Sequence, residues 1–378
     1  MTARSYRQLV LALVLLLLCS RCGVEQPSPR LDPAQRKAGS FRIAFGSCAK
    51  QDRPQTIWRA VVETKPDAWV WLGDAIYADR QEDVASMSKH YGLQKANAEY
   101  QLVLKNVPVI LGTWDDNDYG SKRKGKAFEK KSESERLYLD FLGEPLDSPR
   151  RKQDGIYWSY LLGANERQVR MILLDVQYHC DPPGPDGDVL GEQQWAWLEK
   201  ELRETRAAVN IIFSGMQIIA AEQPFDKWAN YPSSRQRLLK LIKDSNAPGV
   251  ILGSGDRHLG ELSRMETSET AYPLYDLTSS GLTHHVDSVW HVRNFFSPEK
   301  NRYRLGQLFT QKNFGIIDVD WGAGLTWIIL QVRDEEGRIR IEERIDLSKL
   351  RPVLSSGVPS SLLLYRRLET VNPSSSLD

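Results

Sequence analysis

Short apolar runs alternate with amphipathic stretches along most of the chain. Runs typical of buried strands lie at 41–46, 68–72, 108–113, 156–162, 169–174, 209–214 and 248–252. Apolar residues recur at helical spacing between several of these runs, which predicts helices at 53–64, 91–104, 131–142, 191–206 and 233–244. Strands that alternate with helices predict an α/β fold.

The pattern changes after Gly260, where helical spacing gives way to strand patterns. These patterns lie at 261–278, 314–319, 325–333 and 338–345. The segment Glu335-Glu336-Gly337 predicts a hairpin turn between the last two strands. We therefore expect a second, largely antiparallel sheet that packs against the first.

The first 22 residues have the layout of a secretory signal peptide. Arg4 and Arg7 precede an apolar run at 9–18, which is shorter than a transmembrane helix requires. We expect export to the periplasm, the cell envelope or the extracellular space. Three fates of this segment remain open: cleavage, retention as an anchor, or lipidation at Cys19 or Cys22, which would tether the protein to a membrane.

Composition sets the remaining boundaries. Residues 23–39 contain several prolines and no apolar period, which predicts a linker. The folded domain is expected at 40–347. Residues 348–378 are rich in proline and serine and predict a loosely ordered tail, apart from 362–368.

The overall composition is that of an ordinary globular protein. The chain has 378 residues, of which 41% are hydrophobic and 26% charged, and its formal net charge is +1. We find no long block of one charge sign, so the charge gives no reason to expect nucleic acid as a specific partner. Any binding of an anion must therefore be local.

Four clusters of potential metal ligands each follow a predicted strand. They are Phe45-Gly46-Ser47-Cys48, Leu72-Gly73-Asp74-Ala75-Ile76-Tyr77, Trp114-Asp115-Asp116 and Ser254-Gly255-Asp256-Arg257-His258. A buried strand that ends on an unpaired charge is costly unless a cation offsets it. In open α/β folds, ligands collect at the carboxyl ends of the strands, where these clusters would meet. The four clusters together predict one metal site.

Each cluster also has a simpler explanation. An aspartate after a glycine commonly caps a helix, and adjacent aspartates commonly form a turn. Cys48 and Cys180 are the two cysteines left after removal of the signal sequence, and in an exported protein they could form a disulfide.

Further segments extend the pattern, namely Leu173-Leu174-Asp175, Gly191-Glu192-Gln193-Gln194-Trp195-Ala196-Trp197-Leu198, Ser214-Gly215-Met216-Gln217, Trp228-Ala229-Asn230-Tyr231-Pro232 with Arg235, and Ser279-Ser280-Gly281-Leu282-Thr283. With the four clusters, they make residues 41–300 resemble the alkaline phosphatase D (PhoD)-like metallophosphoesterases, a branch of the calcineurin-like phosphoesterase superfamily. This resemblance implies an α/β fold of four layers, α-β-β-α. Two stacked, mostly mixed β-sheets would be flanked by helices, with the metal site at the carboxyl ends of strands.

The resemblance also implies roles for individual residues. The implied metal ligands are Cys48, Asp74, Tyr77, Asp116, Asp256 and His258, around Fe³⁺ and Ca²⁺. We also take Asp116, Asn117 and Asp175 as candidate catalytic residues, and Lys122, Arg123, Gln177 and Arg257 as candidate substrate-binding residues. Arg257 has a salt bridge as its alternative role. The implied reaction is attack on a small phosphorylated substrate by a metal-activated oxygen.

Three positions depart from the family pattern. Asn117 stands where the family has histidine, so a candidate general acid is missing. Ser121-Lys122-Arg123-Lys124 replaces an Asn-Asp pair, and Gln177 replaces an arginine suited to phosphate.

These departures leave several interpretations open. Lys122 and Arg123 could hold the substrate anion in place of a calcium ion, or the loop could be a solvated charged surface. The sequence predicts an exported, metal-dependent hydrolase of phosphomonoesters, phosphodiesters or both, with altered efficiency. The alternative is a non-catalytic protein that binds phosphate or polyanions on the same scaffold.

Overall fold

Two six-stranded β-sheets form the centre of the part of the chain that the structure describes. The structure is a computed structural model, and it describes residues 40–78, 83–122, 124–289, 299–322 and 324–352. The predicted signal sequence, the predicted linker and most of the predicted C-terminal tail lie outside the described residues. Among the residues described, no helix is both long and apolar enough to cross a membrane.

The strands follow the sequence as β1 (Phe41–Gly46), β2 (Ala68–Leu72), β3 (Val109–Thr113), β4 (Trp158–Leu162), β5 (Val169–Leu173), β6 (Val209–Ser214), β7 (Val250–Ser254), β8 (Gly260–Met265), β9 (Leu274–Ser279), β10 (Asn313–Trp321), β11 (Thr326–Asp334) and β12 (Ile339–Asp346). The helices are α1 (Ile57–Glu63), α2 (Val84–Ala96), α3 (Ala98–Asn106), α4 (Asp116–Tyr119), α5 (Lys131–Leu142), α6 (Gly191–Arg203), α7 (Pro232–Ser245) and α8 (Val286–Val289).

Both sheets are mixed. The first has the strand order β12-β11-β10-β1-β2-β3, in which β1, β2 and β3 are parallel and the other neighbours are antiparallel. The second has the order β4-β5-β6-β7-β9-β8, in which β5, β6, β7 and β9 are parallel and the two edge strands are antiparallel. The fold predicted from the resemblance is therefore confirmed.

The side chains of β2 alternate between two buried cores, one on each face of the first sheet. Val70 and Leu72 point into a core that they share with residues of the second sheet, and the rings of Phe45 and Phe213 are 5.5 Å apart there. Trp69 and Trp71 point to the opposite face, where they meet helices of a second, aromatic-rich core. Because successive side chains of a strand face opposite ways, one short run serves both layers.

The structure corrects the expectation for the C-terminal strands. They pair largely antiparallel, as predicted, but they do not form a sheet of their own. Strands β10 to β12 extend the first sheet from β1, while β8 and β9 complete the second sheet beside β7. The segment predicted as one strand at 261–278 forms two strands, β8 and β9. Apolar alternation predicts a strand but not which distant strand pairs with it.

One predicted helix also differs from the structure. The predicted helix 91–104 is two helices, α2 and α3, because Asn97 is extended and its side chain caps the second by accepting from the N–H groups of Glu99 and Tyr100. A short turn, Leu347–Leu350, begins at the predicted domain end, and Leu350 is fully buried in the core.

Candidate functional site

The predicted ligands follow four strands whose carboxyl ends are neighbours in the two sheets. Cys48 follows β1, Asp74 and Tyr77 follow β2, Asp116 begins α4 after β3, and His258 follows β7. Strands β1, β2 and β3 are parallel in the first sheet, so their carboxyl ends lie at one edge of it, and β7 is parallel to its neighbour β9 in the second sheet. A fifth loop, after β9, closes over the first: the N–H groups of residues 281 and 282 both donate to the Ser47 carbonyl at 3.1 Å.

Three of the six predicted ligands converge. Ligand atoms of Cys48, Asp74 and His258 all lie within 4.8 Å of one another, as in a group that could hold a metal ion. The Cys48 thiol donates to Asp74 Oδ2 at 3.6 Å, and the Tyr77 hydroxyl donates to the same oxygen at 2.9 Å. Thiolate, carboxylate and imidazole are all metal-binding groups, so the donor set fits a cation.

The backbone at the site is strained. Four predicted ligands have a positive φ, namely Cys48 (65°), Asp74 (52°), Asp256 (67°) and His258 (58°). Seven non-glycine residues of the described chain have this conformation, so more than half of them are predicted ligands. L-residues adopt it at a cost of about 1–3 kcal/mol each, and such strain gathers at functional sites.

Two glycines let the loops approach so closely. A Cβ on Gly73 would lie 2.3 Å from the Cβ of Asp115, and one on Gly255 would lie 2.6 Å from the Leu72 carbonyl oxygen. Both contacts are shorter than any side chain tolerates. The Gly-Asp pairs singled out in the sequence therefore have a steric reason as well as a chemical one.

The site concentrates carboxylates away from water. Burial raises the pKa of Asp74 and raises that of Asp256 to about 7. Burial also raises the pKa values of Asp115 and Asp116 well above the usual range, and neighbouring carboxylates raise them further. A bound cation reverses this environment because it stabilises the ionised form of each group.

Cys48 and Tyr77 share this environment. Burial, followed by the charge of Asp74, raises the pKa of the Cys48 thiol and of the Tyr77 phenol well above their ordinary values. Both groups must lose a proton to ligate a metal ion. The alternative of a disulfide with Cys180 is wrong, since both cysteines are free thiols. Cys180 instead donates to the Tyr231 hydroxyl at 3.3 Å.

His258 is held in its metal-binding form. Its backbone N–H donates to the Ser280 hydroxyl oxygen at 2.8 Å, and this hydroxyl donates to Cys48 Sγ at 3.1 Å. Burial, together with positive charge on its neighbours, lowers the pKa of His258 to about 3. A neutral imidazole is the species that ligates metals.

Two residues of the site were missed by sequence reasoning. The ring of His284 stacks on Tyr77 at 5.1 Å between centroids and lies 4.3 Å from the ring of His258. Its signal was the pair of histidines directly after Ser279-Ser280-Gly281-Leu282-Thr283. Asp115 is buried beside Asp116 and accepts from the side-chain amide of Gln177 at 2.8 Å, although the sequence gave it no individual role.

Asn117 and Lys122 both contact the carboxylates. The Asn117 backbone N–H donates to Asp74 Oδ1 at 3.2 Å, and its side-chain amide donates to Asp116 Oδ1 at 2.7 Å. The Lys122 Nζ lies 3.9 Å from Asp116 Oδ2. Arg123, the second predicted substrate-binding residue of this loop, lies outside the described residues.

Asp175 lies behind the site. It is fully buried, and its Oδ1 accepts from the Trp114 indole at 2.8 Å and from the N–H groups of Gln177 and Tyr178 at 2.9 Å. Its Oδ2 accepts from the Ile156 N–H at 2.9 Å. With both oxygens occupied, Asp175 positions the neighbouring loops. Its catalytic role stays a prediction.

Arg257 makes the salt bridge that was its alternative role. Its guanidinium donates to Glu299 Oε2 at 2.6 Å and lies over the Phe225 ring at 4.3 Å from the centroid. Its side chain is 5% exposed, so it does not offer its charge to a substrate in this conformation.

Comparisons with known proteins identify the family of this chain. A family model described as PhoD-like phosphatase matches residues 43–288. Alkaline phosphatase D of Bacillus subtilis (strain 168) is 23% identical over an alignment 275 residues long, which covers 59% of this chain and 46% of that protein. The chain thus spans about half the length of this curated relative. The solved structure titled "Structure of PhoD" aligns with a TM-score of 0.61 at 17% identity, covering 85% of this chain and 73% of that chain, and shows the shared fold. Because the family model covers more than half of the sequence, this chain belongs to the PhoD-like phosphatase family.

Proposed function

We propose that this protein is an exported, metal-dependent phosphoesterase that hydrolyses phosphomonoesters, phosphodiesters or both. The observation that carries the proposal is the convergence of Cys48, Asp74 and His258 on strained turns, in a chain of the PhoD-like phosphatase family. Export rests on the signal-like sequence of residues 1–22.

The proposed metal ligands are Cys48, Asp74 and His258, with Tyr77, Asp116 and Asp256 around them. The anionic thiolate and phenolate suit Fe³⁺, and the carboxylates suit Ca²⁺. When bound, the metal neutralises negative charge on the reacting phosphate and lowers the pKa of the attacking water. The buried carboxylates support this assignment because a cation removes the cost of ionising them together.

The protein's own side chains act around this centre. Asn117 fixes the orientation of Asp116 through its side-chain amide and that of Asp74 through its backbone. Lys122 places a positive charge beside Asp116, where it can attract a substrate phosphate. Gln177 holds Asp115, so the residue that replaces the family's arginine serves a carboxylate.

The proposal is tested by metal analysis combined with an assay on p-nitrophenyl phosphate and bis-p-nitrophenyl phosphate, with and without Ca²⁺. Asp74→Asn removes an anionic ligand, and we expect both bound metal and turnover to fall. Asp318→Asn is the matched control, because this buried carboxylate of the first sheet pairs with Arg42 and is not part of the site. Full metal content in Asp74→Asn would refute the assignment.

A second function is favoured by one observation. Asn117 cannot donate a proton as the family's histidine could, and its amide is already engaged with Asp116. A protein that retains the metal site but lacks the general acid would bind phosphate or a polyanion without hydrolysis. Wild-type protein with full metal content and no turnover on either ester would establish this function.

A further inference from the structure

A basic cavity lies beside the proposed metal centre. Its volume is about 440 Å³. It is lined by Lys50, Arg53, Pro54, Thr283, His284, His285 and Lys312. None of the predicted substrate-binding residues, Lys122, Arg123, Gln177 and Arg257, lines this cavity.

The cavity is fixed relative to the metal ligands by backbone hydrogen bonds. The N–H groups of Thr283 and His284 both donate to the Cys48 carbonyl, at 3.2 and 3.1 Å. The Lys50 N–H donates to the Thr283 hydroxyl oxygen at 2.7 Å. The loop after β1 and the loop after β9 are thereby joined, and both carry residues of the cavity wall. A group bound in the cavity would keep a set distance from the centre.

His284 joins the cavity to the proposed ligands. It lines the cavity, and its ring lies 5.1 Å from the Tyr77 ring and 4.3 Å from the His258 ring, between centroids. The Lys50 Nζ lies 5.2 Å from the Tyr77 ring centroid. The cavity and the proposed ligands therefore share a border at His284 and Tyr77.

The lining is cationic although the whole chain has a formal net charge of only +1. Lys50, Arg53 and Lys312 supply formal charges, and none of the described residues that line the cavity is a carboxylate. Outside the lining, Asp52 lies 4.0 Å from Arg53, and Glu335 lies 2.7 Å from Lys312. A concave surface lined by one charge sign concentrates oppositely charged ligands.

We propose that this cavity binds a second phosphate group of the substrate, so that the enzyme prefers small organic bisphosphates to monophosphates of equal chain length. One phosphate would occupy the metal centre, and the other would contact Arg53 and Lys312 across the His284 ring. The proposal rests on the proposed phosphoesterase function of the same site.

The test compares the release of phosphate from butane-1,4-diyl bisphosphate and from butyl phosphate. The pocket variant combines Arg53→Gln with Lys312→Gln. The matched control combines Arg136→Gln with Lys240→Gln, which removes the same charge from exposed helical positions that pair with Asp140 and Asp244. Arg53→Gln alone provides a second variant at an exposed side chain, in case Lys312 also supports the fold.

We expect the wild type to prefer the bisphosphate. The ratio of the two kcat/KM values should fall about tenfold in the pocket variant, because two charge-assisted contacts are lost. The ratio should remain unchanged in the control, and the difference should shrink at high salt. Equal ratios in wild type and in both pocket variants would overturn the proposal.

Failure of the proposed function gives a different result. A wild type that hydrolyses neither ester refutes the phosphoesterase function and leaves the cavity testable by calorimetric titration of the metal-loaded protein with the bisphosphate. Binding that is about tenfold weaker in the pocket variant than in the control supports the second phosphate site. Equal binding by the two variants overturns it.

Discussion

Replacing Asp256 by asparagine should stabilise the metal-free protein at alkaline pH. The raised pKa of Asp256 means that its ionised form is costly in the folded state: burial and the charges of Asp74 and Asp226 raise it, whereas Arg257 and Lys122 lower it. An asparagine of almost the same shape has no charge to desolvate. We therefore expect Asp256→Asn to increase the folding stability of the metal-free protein and to decrease that of the metal-loaded protein.

The magnitude follows from the pKa. The value rises from 3.8 to about 7 on folding. At about 1.4 kcal/mol per unit, complete ionisation costs up to about 4 kcal/mol of folding stability. Asp256 is only partly buried, so solvent screening reduces the expected effect to about 2 kcal/mol. Because the folded state holds the extra proton, this cost is absent below about pH 4, grows as the pH rises, and is complete above about pH 7.

Thermal unfolding at pH 5 and pH 8, with chelator and with metal, measures the effect. At pH 8 with chelator, Asp256→Asn should unfold on the order of 5 °C above the wild type, and the difference should narrow at pH 5. Added metal should stabilise the wild type more than the variant, since the ligands bind when deprotonated. Asp318→Asn should be destabilised in every condition, because it breaks the pair with Arg42. A chelated Asp256→Asn that is less stable than the wild type at pH 8 would refute the reasoning.

Three further outcomes are expected. Protein loaded with Fe³⁺ should be visibly coloured, because thiolate and phenolate ligands give charge-transfer absorption. Cys48→Ser should change that absorption spectrum. A colourless Fe³⁺-loaded wild type would contradict ligation by the thiolate. Lys122→Ala combined with Arg123→Ala should weaken phosphate binding in calorimetry at low salt and less at high salt, and unchanged affinity at low salt would make this loop a solvated surface. Asn117→His should raise turnover of p-nitrophenyl phosphate by up to about 10²-fold at fixed metal occupancy, because a positioned imidazole can donate a proton; a loss of turnover would show that the amide contact to Asp116 has its own function.

The sequence alone determined the local elements and the chemistry at their ends. The run that contains Trp69, Val70 and Trp71 predicts a strand with two buried faces, and the structure places β2 there between two cores. Gly73 and Asp74 follow it, and steric contact with the next loop explains why a glycine precedes the aspartate. The sequence predicts such features because they depend on side-chain alternation and backbone conformation, which residues adjacent in the chain determine.

Only the tertiary structure decided which of these elements meet. The pairing of β10 with β1, the stacking of His284 on Tyr77 and the salt bridge from Arg257 to Glu299 all join distant parts of the chain. The hydrogen bonds of Asp175 could likewise not be predicted from the sequence, since its four donors come from three separate segments of the chain. Hydrophobic periodicity indicates that a face of an element is buried, but it does not specify the element against which that face packs. The pKa and the role of a carboxylate depend on neighbouring groups, which the fold brings together from distant parts of the chain.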